Sequence, residues 1–210
     1  MSLLEEARWL PGIGALRAEL PTGMGGPQYG PETLAVRALT GEAPRAAEPG
    51  STVPQPRPRT IRHLSGDRLR AVPVRGPWTA EAVYELLGTL MRLSAVVPIA
   101  TVDTGSFAAP DTPQRALRDF LDTGLPPLWM SAHRAAEVVF VGGLVYGRRA
   151  ALACVLDTAP VGDAADGHRV HLQPLPHLAA ALHDAGMLLV VPAAEAADAG
   201  RIVTQAGLRT

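Results

Sequence analysis

The 210-residue chain contains no lysine and no asparagine, and all 19 of its basic residues are arginine. The absence of lysine excludes a Schiff-base enzyme and a Walker-type nucleotide-binding loop, because both depend on an ammonium group. A single cysteine, Cys154, excludes an internal disulfide and any zinc or iron–sulfur site built from cysteines. Cys154 lies within an apolar run, which indicates an inert core side chain rather than a nucleophile.

The chain also lacks an excess of charge of either sign. Its 19 basic and 20 acidic residues leave a net charge of −1, so it has no positive field of the kind that binds nucleic acid. No apolar run is long enough to span a bilayer, and residues 1–6 do not resemble a signal peptide. We therefore expect a soluble, cytoplasmic protein, folded as a single domain over residues 1–210, that binds neither nucleic acid nor membranes.

Hydrophobic periodicity divides the chain into alternating elements. Helices are predicted at residues 31–39, 79–93, 131–146, 178–183 and 193–206. Strands are predicted at residues 16–21, 69–74, 95–102, 150–156 and 187–191. Residues 41–59 are rich in proline and glycine and are predicted to form a long loop.

The predicted strands are apolar on both faces and alternate with helices. This pattern is typical of a mostly parallel sheet covered on both sides, so we predict a three-layer α/β/α fold with a central, mostly parallel or mixed sheet. Ligands of such sheets bind beyond the carboxyl ends of the strands. Three turns are expected there: the glycine-rich turn after Pro21, the turn at Asp103 and the turn at Asp157.

The glycine-rich turn contains Gly23, Gly25 and Gly26 and precedes a predicted helix. Backbone amides in such a turn can approach a phosphate, ribose or carboxylate closely. A tight turn that merely needs glycine has the same sequence, and composition alone favours that simpler interpretation.

Asp157 follows a run of seven apolar residues. A carboxyl group at the mouth of a buried strand can hold and donate a proton, although turns and helix caps use aspartate in the same position. Asp103 has the same two interpretations, and its Asp-Thr-Gly-Ser sequence favours a turn. No histidine pair has the spacing of a helical zinc site, so we expect neither a metal nor another cofactor.

Residues 22–27 read Thr-Gly-Met-Gly-Gly-Pro and precede a helix containing Glu32. This segment resembles the Gly-Met-Gly-x-Pro-Ser turn of the nucleoside phosphorylase/nucleosidase superfamily, which includes purine nucleoside phosphorylase, uridine phosphorylase and methylthioadenosine nucleosidase. Residues 48–52, 100–107 and 129–157 are also similar to segments of that superfamily. The resemblance runs with gaps from about Thr22 to Asp157 and leaves a C-terminal extension, residues 168–210, unassigned.

The resemblance implies an often oligomeric α/β/α protein that cleaves the N-glycosidic bond of a nucleoside with phosphate or water. Asp157 matches the acid that protonates a purine leaving group, and Phe107 matches an aromatic that stacks on the base. The substrate-binding residues that the resemblance implies are Met24, Gly25, Ser51, Phe107 and Glu137.

Two departures from the superfamily pattern change the expected chemistry. The Glu-Met-Glu segment that holds the ribose aligns with residues 133–135, which read His-Arg-Ala, so Glu137 would act in its place from two residues later. The phosphate-binding arginine aligns with Glu48. We therefore expect hydrolysis, or binding of a nucleoside or nucleobase without turnover, rather than phosphorolysis.

Two alternatives remain open. The first is a catalytically inactive regulatory or scaffolding subunit, which would associate with copies of itself or with an intact paralogue. The second is an unrelated α/β domain that binds a small molecule, in which the shared residues are ordinary turn and core residues.

Overall fold

The computed structural model describes residues 2–20, 29–42, 56–157, 170–182 and 186–210. The predicted glycine-rich turn, with Met24 and Gly25, lies outside the described residues, as do Ser51 and most of the predicted loop at 41–59.

Helices and strands alternate irregularly along the described chain. The helices are α1 (Ile13–Glu19), α2 (Pro31–Thr40), α3 (Pro58–Leu64), α4 (Ala80–Leu90), α5 (Gln114–Thr123), α6 (Leu175–Ala181) and α7 (Ala196–Gln205). The strands are β1 (Arg8–Trp9), β2 (Leu69–Val74), β3 (Val97–Asp103), β4 (Ala136–Tyr146), β5 (Ala151–Asp157), β6 (Val170–Pro174) and β7 (Met187–Pro192).

The strands form one seven-stranded sheet in the order β2-β7-β3-β4-β5-β6, and the short β1 pairs with β4. Every pairing among the described strands is antiparallel. The predicted α/β class is confirmed, whereas the predicted mostly parallel or mixed sheet is wrong. The C-terminal extension is part of this sheet, because β7 lies between β2 and β3.

The apolar sequences of the strands are explained by burial on both faces and not by parallel pairing. Leu152 and Cys154 of β5 pack in one cluster with apolar side chains of α5. The intervening Ala153 and Val155 belong to a second cluster that includes the apolar residues of α6. Helices thus cover β5 on both faces, and an antiparallel strand in that position needs the same apolar sequence as a parallel one.

The predicted helix at 131–146 is also wrong, because most of this segment is strand β4. Its residues 138–143 read Val-Val-Phe-Val-Gly-Gly, and β-branched residues and glycine both disfavour a helix. The predicted strand at 16–21 lies largely in α1 instead. The helix predicted at 79–93 is confirmed as α4, and the Thr79 hydroxyl caps it by accepting a hydrogen bond from the Ala82 amide at 3.1 Å.

No helix in the described part of the chain is both long and apolar enough to cross a membrane.

Two glycines provide a matched test of this packing. A Cβ atom at Gly143, where β1 pairs with β4, would overlap the carbonyl oxygen of Arg8, whereas a Cβ atom at Gly14 in α1 would meet nothing within 4 Å. We expect Gly143→Ala to lower the free energy of unfolding by about 1–3 kcal/mol, since β1 must move. Gly14→Ala should raise it by about 0.5–1 kcal/mol by restricting the unfolded chain. Urea unfolding measures both, and a neutral Gly143→Ala would contradict the β1–β4 contact.

Candidate functional site

Both aspartates predicted at strand ends lie at the same end of the sheet, where β3 and β5 finish. Asp103 ends β3 and pairs with Ala136 at the beginning of β4. Asp157 ends β5 and pairs with Val139, three residues further along the same strand. The Asp103 carboxylate accepts a hydrogen bond from the Gly105 amide at 3.0 Å, which agrees with its interpretation as a turn residue.

Strand β6 places a histidine beside Asp157. The register pairs Val155 with His171, and because side chains alternate between faces, His171 and Asp157 are diagonal neighbours on one face. The His171 Nε2 atom lies 2.6 Å from the Asp157 Oδ2 atom. Their side chains are 30% and 16% exposed, so the pair is largely shielded but still reaches solvent.

The carboxylate changes the titration of the imidazole. The hydrogen bond that His171 donates to Asp157 raises the pKa of His171 above its ordinary value, partial burial opposes this rise, and the charges of Asp157 and Glu137 reinforce it. His171 therefore keeps its proton to a higher pH than a free histidine does. The arrangement can hold a proton next to a ligand and release it, which is the property a general acid needs.

Glu137 lies on the same face as this pair. It precedes Val139 by two residues on β4, and Val139 is opposite Asp157, so Glu137 is on the Asp157 side of the sheet. The His133 Nε2 atom is 3.3 Å from the Glu137 Oε1 atom, and the Glu137 side chain is 42% exposed. The strand conformation of β4, and not the predicted helix, is what brings Glu137 to Asp157.

Two buried polar side chains fix the loops around this end of the sheet. Gln173, two residues after His171, accepts a hydrogen bond from the Ala108 amide at 2.8 Å and donates one to its carbonyl oxygen at 3.4 Å. The Thr104 hydroxyl lies 3.2 Å from the carbonyl oxygens of both His133 and Ala135, which share its one proton, and it accepts a hydrogen bond from the Ala135 amide. The loops at 104–109 and 129–135 are therefore anchored on the strands that carry the site.

The structure brings together only part of the predicted site. Asp157 and Glu137 share one face, and Phe107 lies in a neighbouring loop but is only 8% exposed and packs in the main core. A base could stack on Phe107 only if this loop moved. Met24, Gly25 and Ser51 are outside the described residues.

His171 is the residue that sequence reasoning missed. Its strand reads Val-His-Leu-Gln-Pro, and the alternation of His171 and Gln173 with apolar residues is the signal of a strand with one polar face. The segment is only five residues long and ends in proline, which hid that signal.

Other sources of reactivity are limited within the described residues. No group of three or more histidine, cysteine, aspartate or glutamate side chains there is arranged to hold a metal ion. Cys154 is fully buried, and burial raises the pKa of its thiol to about 12, so it stays protonated and unreactive at neutral pH.

The His171–Asp157 pair predicts a specific pH dependence of stability. Because the folded pKa of His171 is raised, its stabilising contribution is complete below the unfolded value and is lost as the pH rises through the folded value. Asp157→Asn should therefore lower the free energy of unfolding by about 1.5 kcal/mol more at about pH 5.5 than at about pH 9. Urea unfolding at both pH values measures this difference.

Asp103→Asn is the matched control, because Asp103 lies at the same end of the sheet but accepts its hydrogen bond from a backbone amide. Its effect on the free energy of unfolding should be the same at both pH values. An equal effect of Asp157→Asn at the two pH values would contradict a charged His171–Asp157 pair.

Comparison with known proteins gives one family. No curated protein matches the chain, and no solved structure matches it. A family model described as "Family of unknown function (DUF6885)" matches residues 14–210, which include strands β2 to β7 and the whole candidate site. The chain therefore belongs to the DUF6885 family.

Proposed function

We propose that Asp157 and His171 form an acid–base site that acts on a small polar molecule. The reaction we assign to it is hydrolysis of the N-glycosidic bond of a purine-type nucleoside. The single observation that carries the acid–base assignment is the 2.6 Å contact between His171 and Asp157 at a solvent-accessible end of the sheet. The choice of a nucleoside as the substrate rests on the sequence resemblance that ends at Asp157.

In this mechanism the His171 imidazolium donates its proton to the ring nitrogen of the leaving base. Asp157 holds the imidazole and stabilises its charged form, so the two residues act together. Nε2 of His171 is occupied by Asp157, and no group in the described chain hydrogen-bonds Nδ1, which leaves that nitrogen for a ligand.

Glu137 completes the proton balance. As the C–N bond breaks, positive charge develops on the sugar ring, and a water molecule forms the new C–O bond at the anomeric carbon. Glu137, partly exposed on the same face, accepts the proton that this water loses. The products are the free base and the free sugar, and no phosphate is required.

Release of free base from inosine tests this function. Asp157→Asn and His171→Gln should each reduce kcat/KM by about 10²–10⁴-fold, because each removes the proton donor or its support. The rate should also fall as the pH rises through the raised pKa of His171. Chromatographic separation of hypoxanthine from inosine measures the reaction.

Asp103→Asn is again the control, and it should leave the rate unchanged because Asp103 only caps a turn. If the purified chain releases no base from inosine, adenosine or guanosine, the nucleosidase assignment is wrong. A rate that survives Asp157→Asn would show that the site lies elsewhere.

A second candidate function is that of a non-catalytic subunit on the same fold. The observation that favours it is a short segment with four exposed large apolar side chains: Leu125, Leu128, Trp129 and Met130. Exposed apolar side chains concentrated in this way are typical of interaction sites. Absence of turnover together with a self-associated species in sedimentation would support this function over the first.

A further inference from the structure

A cavity of about 390 Å³ lies at the end of the sheet opposite Asp157, where β4 turns into β5. Asp157 ends β5 and Ala151 begins it, so the two ends are separated by roughly 20 Å of extended chain. Aromatic side chains, the hairpin at 147–150 and the beginnings of α4 and α6 line the cavity. It is thus separate from the acid–base site and does not depend on the function proposed for it.

The charge of this cavity is positive. Arg148 and Arg149 line it, and none of the described residues that line it is acidic. Both arginines are exposed, and neither forms an ion pair with any residue in the described ranges. Several other arginines of the chain do have carboxylate partners, namely Arg37, Arg62, Arg68, Arg70, Arg118 and Arg201. The two hairpin guanidinium groups are therefore available to an external anion.

Two tyrosines line the same cavity as these arginines. Tyr84 and Tyr146 pack edge to face, with ring centroids 5.8 Å apart and an interplanar angle of 85°. Tyr84 is 40% exposed, so part of its ring is open to a ligand. The Tyr146 hydroxyl donates a hydrogen bond to the Met91 Sδ atom at 3.9 Å, so Tyr146 contributes its ring, which supports that of Tyr84.

The hairpin that carries the arginines is held against α5. The Gly147 amide donates to the Ala150 carbonyl oxygen at 2.8 Å, which leaves Arg148 and Arg149 at the tip. The Arg149 amide donates to the Leu121 carbonyl oxygen at 3.0 Å. A Cβ atom at Gly147 would lie 2.5 Å from the same oxygen, so glycine permits this close approach. Fixing the backbone in advance reduces the entropy lost when the arginines bind an anion.

We propose that this cavity binds a small aromatic phosphate monoester. The two guanidinium groups bind the phosphate, because paired arginines present several N–H donors to a doubly charged anion. The ring of the ligand packs on Tyr84. Two adjacent cations favour a phosphate over a singly charged carboxylate, and the apolar wall favours an aromatic ester over inorganic phosphate.

Calorimetric titration with phenyl phosphate at low ionic strength tests the site. We expect saturable binding that is tighter than the binding of inorganic phosphate or benzoate, and no binding of phenol. Replacement of both arginines (Arg148→Gln with Arg149→Gln) should weaken phenyl phosphate binding at least about tenfold. Tyr84→Leu should weaken phenyl phosphate about threefold and leave inorganic phosphate unchanged.

Arg92→Gln is the matched control, because Arg92 is an exposed arginine beyond the far end of α4. It should leave the affinity unchanged, and so should Asp157→Asn, since the two sites are separate. Absence of saturable binding at millimolar phenyl phosphate would overturn the proposal. If Arg92→Gln weakened phenyl phosphate binding as much as the hairpin variant does, the proposal would also be overturned. Such a result would show nonspecific attraction of the anion to the arginine-rich surface.

Discussion

The burial of both faces of strands β4 and β5 is the constraint on which the rest of this structure depends. Residues 151–156 of β5 are all buried, and so are residues 139–145 of β4. Helices must therefore lie on both sides of the sheet, and the polar groups of the chain collect where the strands end. One end carries Asp157, His171 and Glu137, and the other carries the two hairpin arginines.

The candidate site illustrates how an antiparallel sheet brings polar side chains together from distant segments. Asp157 and His171 come from neighbouring strands, and Glu137 comes from the third. Each is brought to one face by strand register alone, and the surrounding loops are then fixed by Gln173 and Thr104. The charges of both carboxylates raise the pKa of His171.

The sequence allowed the α/β class and many elements to be predicted, but not the direction of the strands. The buried strands β3, β5 and β7 and the helix α4 were predictable because their apolar pattern reports burial. Pairing direction depends on which strands meet, and an apolar run in a sheet covered on both faces contains no information about that. The valine-rich β4 was mistaken for a helix because a fully apolar segment has no periodicity that separates the two forms.

The geometry of the candidate site could be anticipated only in part, for the same reason. Asp157 was recognisable because it follows directly on an apolar strand, and Glu137 because it lies near a motif-like segment. The proximity of His171 to Asp157 could not be predicted without the β5–β6 register, which is a long-range property of the fold. Likewise, the cavity at the hairpin depends on α4, α5 and the hairpin meeting in space.

Strand β6 is an edge strand of the sheet, and this position affects how long the candidate site stays assembled. Among the described strands, β6 is hydrogen-bonded only to β5, so its other side has no strand partner. Outer segments of a fold open locally at lower free energy than its centre does. Departure of this one short ribbon would separate the imidazole from its carboxylate while the hydrophobic centre stayed intact. Any partner that adds a further strand there would lengthen the time for which His171 and Asp157 stay in contact.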